Sequence, residues 1–194
     1  MDAASVAALV AAWSDSADGE CAKSQELILG LLRGTPAPFS RDQFEPGHLT
    51  GTACVLHPSE QAVLLVHHAK LDRWLLPGGH VELEVDTDPA ATARREAEEE
   101  TGVQIDETAA PLLVGLDVHG IPSRKKDPYH LHHDMIYRFH AASAALGGSP
   151  APAVDSRSPS PSRPRRTGRA VRPSGLAAHA RRRISDVQPR TTRH

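Results

Sequence analysis

A mixed α/β fold, a sheet packed with helices, is what this sequence predicts, and three observations predict it. Two β-rich runs, residues 49–57 and 62–69, flank Pro58-Ser59-Glu60 and read as a hairpin. A Glu-rich helix then lies between a strong start at Asp88-Pro89 and a natural stop at Gly102. Two more β-rich runs, Leu112–Val118 and Met135–His140, follow it.

Before the sheet come two helical segments. Val6, Leu9, Val10 and Trp13 fall at i, i+3, i+4 and i+7, one face of a helix. Leu27, Ile28, Leu31 and Leu32 form a second apolar stripe, closed by Gly34 and Pro36. Residues 1–44 are therefore expected to be a helical arm packed on a main domain spanning 45–145. Within that domain Trp74-Leu75-Leu76 leads into Pro77-Gly78-Gly79, which reads as a turn, and residues 122–128 read as a basic loop.

The formal net charge of −2 hides a split. Residues 1–150 carry 11 Lys and Arg against 22 Asp and Glu, whereas residues 151–194 carry 11 Arg and only Asp155 and Asp186. An acidic body repels polyanions, so an anionic substrate must arrive with cations. The two cysteines, Cys21 and Cys54, form no spaced motif and are expected to be free thiols in a reducing cytoplasm. The apolar start lacks a basic n-region, and no run approaches the roughly 20 apolar residues that span a bilayer, so no membrane partner is expected. The oligomeric state is left open.

The grammar changes near Ala144. No aromatic residue follows Phe139 and no glutamate follows Glu107, while arginine, proline and serine accumulate. Such a segment buries too little apolar surface to offset its ordering entropy, so 146–194 is expected to be disordered. Two origins stand open for it: out-of-frame translation of a GC-rich gene, or a genuine basic tail that binds nucleic acid. The missing aromatics weigh against single-strand binding.

The chemistry concentrates between Gly78 and Val103. Glu96, Glu99 and Glu100 stand at i, i+3 and i+4, which puts three carboxylates on one helix face within about 6 Å of their neighbours. A run of acidic residues usually marks a solvated helix face. Here the run lies downstream of a double glycine, between Arg95 and Gly102, and a hard divalent cation would relieve its repulsion.

Arg95-Glu96-Ala97-Glu98-Glu99-Glu100-Thr101-Gly102-Val103 matches the second half of the signature G-x5-E-x7-R-E-U-x-E-E-x-G-U, and Gly79 stands as its first glycine. On these residues the chain resembles the Nudix hydrolases over roughly 45–142. The resemblance implies an α/β/α sandwich with a mixed sheet. It also implies an Mg²⁺- or Mn²⁺-dependent pyrophosphatase in which water attacks phosphorus of a nucleotide or other diphosphate substrate. Glu99 and Glu100 match the metal-ligating pair, and Glu96 the glutamate that binds metal or acts as general base. The Gly78 carbonyl matches a further ligand, and Arg95 the arginine that orients the glutamates. Substrate identity lies in loops outside the signature.

Two departures stand out. The first signature glutamate would fall at Val85 or Thr87, so this loop is two residues longer than the standard one. Asp86 and Glu84 are the candidates to replace it, Asp86 being favoured because it lies just before the helix. The strands and helix that normally close the domain are expected to be missing, which leaves Asp134 as the remaining late carboxylate. His130, His132, His133 and His140 surround Asp134; a Zn²⁺ site is one reading of them, but no cysteine joins them and they match no zinc-finger spacing, so a surface or substrate-edge set is the expectation. His132 and Asp134 alternate on one strand face and are candidates to border the phosphate site, while Arg124, Lys125 and Lys126 are read either as phosphate contacts or as a plain solvated loop. Two other readings remain: a catalytically weak Nudix-like binding module, and a nucleic-acid-associated protein acting through the tail.

Overall fold

The computed structural model describes residues 1–14, 19–68, 71–124, 126–144 and 168–171. Lys125 and most of the 146–194 segment lie outside them. Two N-terminal helices, α1 (Ala3–Ala12) and α2 (Gly19–Gly34), precede β1 (Gly47–Leu56), β2 (Val63–His68), β3 (Arg73–Leu75) and β4 (Gly78–His80). Helix α3 (Pro89–Thr101) follows, then β5 (Leu112–Ile121), β6 (His130–His140) and a short β7 (Gly168–Val171).

The strands form one mixed sheet in the order β3-β2-β1-β6-β5, with β4 also on β1 and β7 also on β2. Among the described residues only the β1–β6 pair is parallel; it runs in register from Gly47↔Leu131 to Leu56↔His140. Successive strand residues face opposite sides of a sheet. Leu49, Ala53 and Val55 of β1 and Met135, Tyr137 and Phe139 of β6 join Val6, Val10, Ile28 and Leu31 of the helical arm and Ala93 and Ala97 of α3 in one core. A smaller apolar cluster on Cys54, Val63 and Leu65 lies apart from it.

Local chemistry explains α3. Asp88 accepts from the Ala91 N–H at 2.9 Å and Pro89 opens the helix, while Gly102, at φ 73°, closes it in the left-handed region. Alanines at 90, 93 and 97 let α3 lie close to β1. A Cβ on Gly51 would stand 2.8 Å from the Ala93 nitrogen and from the Pro89 oxygen.

Several expectations change. The arm packs as expected, but Leu9 and Leu27 are exposed, at 44% and 50%. Ala7 replaces the first in the buried stripe of α1 and Cys21 and Ser24 extend the stripe of α2, because small side chains permit closer approach. Pro77-Gly78-Gly79 is not simply a turn, since Gly78–His80 forms β4, antiparallel to Thr50–Thr52. Strand β6 starts five residues earlier than expected, which brings His130 and His132 into the sheet. The disorder expected over 146–194 lies outside the described residues except at one place, where Gly168–Val171 pairs with Val63–Val66. Backbone hydrogen bonding to a neighbouring strand needs no apolar side chain, which is why composition could not reveal it.

Candidate active site

Arg95 organises the signature region. Its Nε and Nη2 each donate to a separate oxygen of Asp86 at 3.0 Å, a bidentate pair. Its Nη1 lies 3.2 Å from Glu96 Oε1 and 3.3 Å from Glu99 Oε2, and Nη2 also donates to the His80 carbonyl at 2.8 Å. Glu82 adds an ion pair at 3.7 Å. One guanidinium therefore ties the lengthened loop, the end of β4 and two signature glutamates together. Burial works against its charge, but the Asp86 hydrogen bonds and the surrounding carboxylates outweigh this and raise its pKa.

Asp86 is buried, with a side chain only 2% exposed. It also accepts from the Glu82 N–H at 2.8 Å and the Thr92 hydroxyl at 2.9 Å. Burial alone would raise the pKa of Asp86; its bonds to Arg95, Glu82 and Thr92 prevail and hold it below the usual carboxylate range. Glu84 is exposed and stands outside this network as described.

Glu96 and Glu100, one turn apart on α3, are both buried, whereas Glu99 is exposed. Glu96 packs against Gly79, where a Cβ would fall on its carboxylate. The three glutamates are not drawn into one tight ligand group, for Arg95 holds Glu96 and Glu99 on its own nitrogens. The donors nevertheless suit a hard cation: carboxylates on one helix face, two of them buried and one against Gly79 of β4.

Histidine and acidic residues on the sheet face away from α3 gather on the other side of β4. Thr50 of β1 opposes His80 of β4, and the Thr50 hydroxyl donates to Asp134 of β6. Gly51 and Gly79 face α3, so by alternation Thr50, His80, His132 and Asp134 face away from it. Asp134 thus joins His119 (3.7 Å) and Asp117 rather than the glutamates of α3. Burial pushes the Asp134 carboxyl up, while the Asp117 hydrogen bond raises His119 against burial. His132 lies among His48, His80, His119 and His130, with ring centroids 4.9 to 5.7 Å from its own. Burial, helped by these neighbours, drives its pKa down to about 2, and burial also lowers His48. His133 turns to the opposite face and is buried there. Arg124 is exposed in the β5–β6 connection, where its backbone bridges to Asp127.

Sequence reasoning did not bring His48, His80, Asp117 and His119 to this place. His48 and His119 fall just outside the strands expected at 49–57 and 112–118 and His80 just past an expected turn, and the pairing of β1 with both β4 and β6 was not legible.

The NUDIX domain model matches residues 47–160. No curated protein matches the chain. Among solved structures, the mutator MutT protein of Bacillus halodurans is 17% identical with a TM-score of 0.45, over 71% of this chain and 79% of that one. A NUDIX-family hydrolase from Clostridium perfringens is 18% identical with a TM-score of 0.46, over 73% and 98%. The NUDIX domain of Shewanella oneidensis NrtR, solved with ADP ribose, is 24% identical with a TM-score of 0.34, over 57% and 68%.

Proposed function

The chain belongs to the Nudix family, and we propose that it is an Mg²⁺- or Mn²⁺-dependent hydrolase that cleaves the diphosphate linkage of a nucleoside diphosphate joined to a second group. The observation that carries this reading is the pair of buried carboxylates, Glu96 and Glu100, one turn apart beside Gly79 and flanked by the Arg95–Asp86 clamp. Two carboxylates buried one turn apart on a helix suit a bound divalent cation, which would offset the cost of burying their charge.

Glu96, Glu99, Glu100 and the Gly78 carbonyl would hold the ion. A bound Mg²⁺ supplies neutralisation of the phosphate charge and lowers the pKa of a bound water. Glu96 is the residue positioned to take the proton of the attacking water, because it is buried and oriented by Arg95. Arg95 is a positioning residue: clamped by Asp86, it fixes where the Glu96 and Glu99 carboxylates stand before substrate arrives. The acidic body keeps free polyanions away, so the anionic substrate is expected to enter as its metal complex.

The test is a screen over nucleoside triphosphates, nucleotide sugars and dinucleoside polyphosphates with the full chain, in which added pyrophosphatase or phosphatase converts the products to phosphate for detection. Hydrolysis should require Mg²⁺ or Mn²⁺ and disappear on chelation. Ca²⁺ should bind with little turnover, since its loose coordination positions water poorly. Glu99→Gln and Glu100→Gln should each abolish turnover while the circular dichroism spectrum is kept. Hydrolysis persisting in chelator, or full activity in either variant, would overturn the reading.

A further inference from the structure

Four imidazoles from three strands converge at one end of the sheet. His48 and His132 are partners in the parallel β1–β6 pair. His130 lies two residues before His132 on the same face, and His80 enters from β4. The ring of His48 is 4.9 Å from those of His80 and His132 and 5.0 Å from that of His130, centroid to centroid. One ring nitrogen from each of His48, His130 and His132 lies within 4.8 Å of the others.

Hydrogen bonding fixes which nitrogens are available. His48 Nδ1 is 3.0 Å from the Gln43 carbonyl, and His130 Nδ1 is 2.9 Å from the Pro128 carbonyl. A carbonyl can only accept, so each Nδ1 carries a hydrogen, and in the neutral ring Nε2 then presents the lone pair. That is the arrangement in which a histidine is oriented as a metal ligand by a partner on its other nitrogen. His48 is 1% exposed, and among the described residues its Nε2 has no hydrogen-bond partner. A buried acceptor left in this state calls for an electron-pair acceptor. An anion does not meet that need, because neutral imidazoles offer it lone pairs rather than charge. A borderline-soft cation does, and nitrogen donors select the zinc class over magnesium.

We propose that His48, His130 and His132 bind one Zn²⁺ or another imidazole-preferring divalent transition-metal ion, at a site distinct from the glutamates of α3. His80 borders the remaining coordination position. Zn–N bonds of about 2.0–2.1 Å require ring nitrogens no more than about 4.2 Å apart, so the rings draw together slightly on binding. Strand β4 separates this site from the first: Gly79 meets Glu96 on one side, and His80 meets the imidazoles on the other.

The test uses the full chain without a polyhistidine tag, stripped with chelator and titrated with Co²⁺. One equivalent should produce the intense visible bands of a tetrahedral nitrogen site, and Zn²⁺ should displace them. The bands should vanish in His48→Gln and His132→Gln and persist in Glu99→Gln and Glu100→Gln. Imidazole nitrogen resonances of the wild-type protein give a reading that does not depend on variants folding. Zn²⁺ should shift those of His48, His130 and His132 and leave His57 and His67 in place. Absence of the bands in the wild-type protein would overturn the proposal. So would bands that survive both histidine variants, bands lost in the glutamate variants, or unshifted His48, His130 and His132 resonances.

Discussion

Arg95 and Asp86 meet edge to edge, two nitrogens on two oxygens at 3.0 Å each, across a loop two residues longer than the signature prescribes. The shorter carboxylate side chain and the longer loop fit together. Asp86 follows directly on the exposed stretch 82–85, and its Oδ2 also closes that stretch on the Glu82 N–H.

Removing this carboxylate leaves a half-buried guanidinium with only Glu96, Glu99 and Glu82 to balance it. Asp86→Asn should therefore lower stability by about 3 kcal/mol, the low end for breaking a buried pair. It should reduce turnover further, because Arg95 no longer fixes Glu96. Denaturant midpoints and steady-state rates check both effects; an Asp86→Asn protein as stable and active as the wild type would contradict the clamp.

The same residue sets an acid dependence. The folded pKa of Asp86 is depressed, so its contribution is fully present above the unfolded value of about 3.9 and is lost as pH falls through the folded value. The difference in melting temperature between the wild type and Asp86→Asn should be constant near neutrality and close in strong acid. A gap that stayed open at acid pH would assign the stabilisation to some other group.

Two glycines should fail in different ways. Gly51→Ala drives a Cβ into the backbone of Ala93 and Pro89, and overpacking of this kind costs about 1–3 kcal/mol. Gly79→Ala meets the Glu96 side chain, which is able to swing aside. The first variant should lose stability and the second mainly activity. Thermal melts and rate constants measured side by side separate the two; equal melting losses would mean that Glu96 is held as rigidly as backbone.

Burial pushes the Cys54 thiol up to about 11, and Cys21 is buried with its Sγ 3.5 Å from the Leu116 carbonyl. Neither should react quickly with a thiol reagent near neutral pH, because the thiolate is the nucleophile. Both should titrate at once in denaturant. Rapid labelling of Cys54 in the native protein would mean that the cluster with Val63 and Leu65 opens readily.

What the sequence determined by itself is local or carried by fixed spacing. The caps of α3, the i, i+3, i+4 glutamates, the β1–β2 hairpin and the alternation of His132 with Asp134 all follow from residues within a few positions of one another. The place of Asp86 just before the helix was legible in the same way; its pairing with Arg95, nine residues on, was not. The tertiary structure decided which strands meet. Placing β6 parallel to β1, and β4 on the other side of β1, set His48 beside His132 and His80, and joined Asp134 to Thr50 and His119 instead of to α3. It also turned the glycine stretch into β4 and paired Gly168–Val171 with β2. Long-range strand pairing depends on backbone hydrogen bonds that every residue except proline offers, so the side-chain pattern of one strand does not name its partner.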